Sequence, residues 1–106
     1  MSSRKRVVWS PLALERVQAI AQESAGERPT TAARWVRGLF QRVHQLRLYP
    51  QSGRIAPDLA RPEIRQLPYP PYRIIYRVER ARVLILTVRH GRKDDLDAVA
   101  DEGIEV

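Results

Sequence analysis

The sequence predicts an α+β fold in which a helical hairpin packs on one face of a small antiparallel sheet, and three observations carry that reading. Two long stretches between residues 11 and 48 repeat apolar residues at three- and four-residue steps, the period of a helix with one buried face. Three stretches in the second half, "EIRQL", "YRIIYRV" and "VLILTVRH", are strand-like in length and composition. One short β-type run, "RVVWS" (Arg6–Ser10), precedes them all. The order is β-α-α-β-β-β, and the helices must bury their stripes against the sheet. A chain of 106 residues has the length of one domain, read as 1–106 with an acidic tail over 93–106.

Each element has a local cause. Ser10 and Pro11 open the first helix, because serine offers an N-cap acceptor and proline brings no N–H to the first helical position. Ala13, Leu14, Val17, Ile20, Ala21 and Ser24 form its apolar face, and Gly26 and Pro29 stop it. The second helix is expected from about Thr30 to Leu48. Val36, Leu39, Phe40, Val43 and Leu46 make its stripe, with Arg34, Arg37, Gln41 and Gln45 opposite. The short connection between them predicts an antiparallel hairpin. Residues 50–62 read as a turn-rich surface loop. Glu63–Leu67 reads as a short strand, and the prolines of "PYPP" exclude a central strand beyond it.

Alternation then assigns faces to the last two strands. In Tyr72–Val78 it sets Ile74, Tyr76 and Val78 on one side and Arg73, Ile75 and Arg77 on the other. In Val83–His90 it sets Leu84, Leu86 and Val88 against Val83, Ile85, Thr87 and Arg89. The expected core contact is Val36, Leu39, Phe40 and Val43 on Leu84, Leu86 and Val88. Trp9 and Trp35 read as core-edge residues and Tyr76 as core. Tyr69, held between prolines, is the aromatic expected to be most exposed. His44, mid-helix, receives no site role.

Charge is the strongest compositional fact. Residues 1–93 hold all 19 basic and 6 of the 12 acidic side chains, a net +13, whereas 94–106 hold six acids and no base. Such a body attracts polyanions or acidic proteins. Arginine outnumbers lysine 17 to 2, which favours forked contacts to phosphate or carboxylate. There is no cysteine, hence no disulfide and no thiolate metal site, and neither a metal nor a cofactor is expected. No apolar run reaches the roughly 18 residues of a membrane span, and the N-terminus lacks a secretory h-region, so the expectation is a cytoplasmic protein without membrane partners.

The segments "VVWSPLALERVQAI", "LYPQSGR", "EIRQL", "YRIIYRV" and "ILTVRHGRKD" occur in the order and spacing of the RelE/ParE superfamily of toxins, which the chain resembles over roughly residues 6–94. The resemblance implies the toxin half of a type II toxin–antitoxin module, hetero-oligomeric with a cognate antitoxin. RelE-like members resemble ribosome-dependent mRNA endoribonucleases; ParE-like members poison DNA gyrase and have no established catalytic residues. The only lysines are Lys5 and Lys93, so the lysines common in RelE-like members have no counterpart. "HGRKD" is similar to the ending of ParE-like chains, which favours that branch.

The strand-end cluster Arg89, His90, Arg92 and Lys93 is the candidate contact with the target, gyrase in this reading or ribosome and mRNA in the alternative. Arg65, Arg73 and Arg77 are the candidate face for the antitoxin, whose acidic and apolar segment they would pair with. Were the chain a nuclease, His90 would supply acid–base chemistry and Arg65 and Arg73 the charge for the phosphorane. His90 reads more simply as a structural residue closing the strand.

Overall fold

The hydroxyl of Ser10 sets where the first helix begins. Its Oγ accepts from the backbone N–H of Ala13 at 3.0 Å and donates to the carbonyl of Leu86 at 2.8 Å, so one side chain caps a helix and fixes it to the sheet. The coordinates are a computed structural model, and they describe residues 4–25, 28–56, 59 and 61–91. In chain order the elements are β1 (Arg6–Trp9), α1 (Pro11–Ala25), α2 (Pro29–His44) with a 3-10 turn at Gln45–Arg47, β2 (Arg54–Ile55), β3 (Ile64–Tyr69), β4 (Tyr72–Val78) and β5 (Arg82–His90).

Five strands form one sheet in the order β1-β5-β4-β3-β2. The α+β class and the helical hairpin are as the sequence predicts, but the sheet is mixed. β1 runs parallel to β5, with Val7 opposite Val83 and Trp9 opposite Ile85, while the other pairs are antiparallel. The connection from β1 to β5 runs through both helices and three strands, long enough to allow the parallel pairing. Residues 54–55, read as loop, pair with Arg65 and Gln66 as a two-residue edge strand. β3 extends through Pro68 to Tyr69, because β2 ends before Pro68 and no ladder N–H is needed there. Pro29, read as a stop, is the first residue of α2.

The core lies between helices and sheet. Ala13, Val17, Leu39, Val43 and Leu46 pack with Leu67, Ile74, Tyr76, Val83, Ile85 and Val88, all buried. A smaller cluster of Ala56, Ile64, Ile75 and Leu86 lies on the sheet's second face, with Leu59 and Leu84 beside it. The expected contact of the α2 stripe on Leu84, Leu86 and Val88 is therefore corrected. A bulge shifts the register: Tyr76 faces Ile85 while Ile75 faces Thr87, leaving Leu86 as the extra residue. Alternation is broken there, so Val83, Ile85 and Val88 face the helices, and Leu84 and Leu86 face away. The carbonyl of Leu86 is the one that Ser10 satisfies.

Candidate functional site

The start of β4 meets the end of β5, and the residues there assemble the site. Tyr72 pairs with His90 and Arg73 with Arg89. The Gly91 N–H then donates to the Pro71 carbonyl at 2.7 Å, closing the ladder. A Cβ at Gly91 would stand 3.0 Å from that carbonyl oxygen, so glycine allows the close approach. Arg73 opposite Arg89 is a like-charge cross-strand pair. Nη1 of Arg73 donates to Oε1 of Gln66 at 3.0 Å, which orients one guanidinium on the second face.

On the helix side, a row of aromatic rings leads to His90. Trp35 meets Tyr69 at 5.9 Å and Tyr72 at 5.4 Å between centroids, and Tyr72 meets His90 edge-on at 5.8 Å. The Tyr69 hydroxyl donates to the Trp35 carbonyl at 2.9 Å. Tyr69 is thus half-buried, and the exposed tyrosine is Tyr49, at 64%. Between α1 and the end of β5 lies a cavity of about 230 Å³ lined by Arg16, Ile20, Glu23, Tyr72, Arg89 and His90. Arg16 was not singled out from the sequence. Its spacing on α1 gives it no signal of its own; only the packing of α1 on β5 brings it there.

The arginines expected to act together are divided. Cross-strand partners share a face, so Arg65, opposite Tyr76, stands on the helix side, whereas Arg73 and Arg77 stand on the second face with Ile75. Arg65 is also occupied structurally. Its Nη1 donates to the carbonyls of Gly53 (2.7 Å) and Gln51 (3.3 Å). Tyr76 fixes the same loop: its hydroxyl accepts from the Gly53 N–H and donates to the Pro50 carbonyl, each at 2.9 Å. A Cβ at Gly53 would meet the Tyr76 hydroxyl at 2.5 Å and the Gln66 carbonyl at 2.6 Å, so only glycine fits. Burial raises the Tyr76 phenol above 10.0, against the lowering pull of the Gly53 N–H, Arg65 and Arg42.

Arg77 is held at the opposite end of the hairpin. Its guanidinium bonds the Glu79 carboxylate through Nε (2.8 Å) and Nη2 (2.7 Å), and Nε of Arg82 bonds the other carboxylate oxygen. Lys5 donates to the carbonyls of Glu79 and Arg80 there, at 2.7 Å each, far along the sheet from His90. Arg92, Lys93 and the acidic tail lie outside the described residues. Among the described residues, no group of three or more His, Asp or Glu side chains could hold a metal ion, and no helix is long and apolar enough to cross a membrane.

With this geometry in place, the comparisons are specific. The family model for the ParE toxin of the type II toxin–antitoxin system parDE matches residues 7–95. A protein of Sinorhizobium fredii named "Putative toxin Y4kP" is 38% identical over 91 residues, 86% of this chain and 93% of that protein. A solved structure described as the chromosomal ParDE system from P. aeruginosa superposes with a TM-score of 0.73 at 21% identity, over 86% of this chain and all of that one, and shares the fold. The chain belongs to the ParE toxin family of type II toxin–antitoxin systems.

Proposed function

We propose that this toxin poisons DNA gyrase through the cationic end of β5 and is neutralised by a cognate antitoxin in the cytoplasm. The observation that carries the target surface is Arg89 and His90 closing β5, from which Arg92 and Lys93 follow directly in sequence. His90 stands against the ring of Tyr72, which supports a positioning role. A metal-free nuclease needs a second proton-transfer group, and the lysine described, Lys5, serves the far end of the hairpin. The family match to ParE also favours gyrase over mRNA. The antitoxin would meet the second face at Arg73 and Arg77, with acidic side chains pairing to guanidinium groups in partly desolvated contacts. Arg65, committed to the 51–53 loop, falls outside that surface.

Expression in a growing culture tests the target surface. Changing Arg92 and Lys93 together to Ala should relieve growth arrest with the circular dichroism spectrum unchanged, while His90→Ala should keep the arrest. Arrest by the double variant and relief by His90→Ala would instead support a nuclease, since removing a proton-transfer group lowers the rate roughly 10²–10⁴-fold.

A further inference from the structure

We propose that Gly38 and Tyr69 are positioning residues for the target surface: together they latch the turn between β3 and β4 to α2, and that turn holds the end of β5. Glycine inside a helix is unfavourable, because its backbone loses the most freedom on folding, so Gly38 in the middle of α2 needs a cause. The cause lies across the interface. A Cβ there would fall on the Tyr69 hydroxyl, nearer than non-bonded atoms come, with the ring carbon Cζ at 3.4 Å behind it. The space that glycine leaves lets the hydroxyl reach the helix backbone, where it donates to the Trp35 carbonyl at 2.9 Å.

The same flank of α2 grips the turn on both sides. Trp35, Gly38 and Arg42 recur at helical spacing. Nε of Arg42 donates to the Pro68 carbonyl at 3.1 Å. The Trp35 ring meets both Tyr69 and Tyr72, the ladder pair that flanks Pro70 and Pro71. Two prolines bring no N–H to that turn, so it donates no backbone hydrogen bond of its own. Its Pro71 carbonyl accepts instead from the N–H of Gly91, one residue beyond β5. A chain of contacts thus runs from α2 through Tyr69 and the turn to Gly91, from which Arg92 and Lys93 follow in sequence. The latch fixes the point at which the chain carrying that basic pair leaves the sheet. Its consequence for the target rests on the surface proposed above; the latch itself does not.

Amide hydrogen exchange on the full-length ¹⁵N-labelled protein, read beside growth arrest on expression, tests the latch. Gly38→Ala drives a methyl group onto the hydroxyl, although alanine by itself favours the helix, and Tyr69→Phe removes the hydroxyl. Each should speed exchange at Gly91 several-fold and weaken growth arrest, while the buried strand amides of Ile74 and Ile85 keep their protection. With both changes together, exchange at Gly91 should be slower than in Gly38→Ala alone and part of the arrest should return, because the phenyl ring clears the methyl group. Protection lost equally at Gly91, Ile74 and Ile85 would mean a general loss of stability, and the proposal would fall. It would fall equally if exchange at Gly91 were unchanged in both single variants. Should Gly38→Ala misfold, Tyr69→Phe decides alone. Full arrest with Gly91 loosened overturns the positioning role when changing Arg92 and Lys93 to Ala relieves the arrest. If that pair also keeps the arrest, the target surface has failed, and exchange at Gly91 still decides the latch.

Discussion

Leu39 and Phe40 are neighbours on one helix, yet their weights differ. Leu39 is fully buried, whereas Phe40 is 41% exposed and lies 4.8 Å from the Trp9 ring across a groove beside β1. Leu39→Ala should therefore cost about 2–5 kcal/mol through transfer and cavity terms. Phe40→Ala should cost well under that, since mainly an aromatic contact of about 0.5–1.5 kcal/mol is lost. Thermal melts of the two variants check the order. The sequence places both on one apolar stripe and cannot rank them, because a stripe wider than the sheet beneath it leaves its edge in solvent. Tyr76 gives a second residue-scale test. Tyr76→Phe removes the partner of the Gly53 N–H and the Pro50 carbonyl and should cost about 1–3 kcal/mol in denaturant unfolding. Because the folded phenol titrates above its unfolded 10.0, its contribution is complete below that pH and is lost as pH rises through the folded value. The alkaline fall in stability should be shallower in the variant.

Among elements, the β4–β5 hairpin decides most and is the least legible. The two helices and β3, β4 and β5 follow from periodicity and the start of α1 from Ser10-Pro11, whereas Pro29 reads as a stop and residues 54–55 as loop. The facing of β5 does not follow, because one extra residue at Leu86 inverts the alternation and no residue type announces it. The β4–β5 turn lacks the usual Gly or Asn, and a clasp of Arg77 and Arg82 on Glu79 stands in for it. The hydrogen bond from Arg82 is the largest cause, with Arg77 adding, that holds the Glu79 carboxyl below its ordinary 4.5, against the opposing effect of burial. A depressed carboxylate stabilises the fold above its unfolded pKa and loses that contribution as pH falls through the folded value. Acid unfolding followed by circular dichroism should show a steeper decline below about pH 4.5 in the native chain than in Glu79→Gln. Identical acid limbs would mean the clasp contributes nothing to stability.

At the scale of the whole molecule, charge was readable and its geometry was not. The excess of arginine is plain in the sequence, but Arg65, Arg73 and Arg77 reach different faces because cross-strand pairing, not spacing, sets them. Arg65 turned out to hold a loop, and Arg16, silent in the sequence, joined the strand end through the packing of α1 on β5. What remains at that end is an arginine pair, a histidine braced by aromatic rings, and the continuing chain with Arg92 and Lys93. The measurement that bears most directly on gyrase poisoning is a cleavage assay with purified DNA gyrase, supercoiled plasmid and this toxin, run with and without its cognate antitoxin. The account predicts linear DNA that accumulates with toxin and disappears when the antitoxin is present. Intact plasmid at every toxin concentration, together with cut mRNA on translating ribosomes, would contradict it.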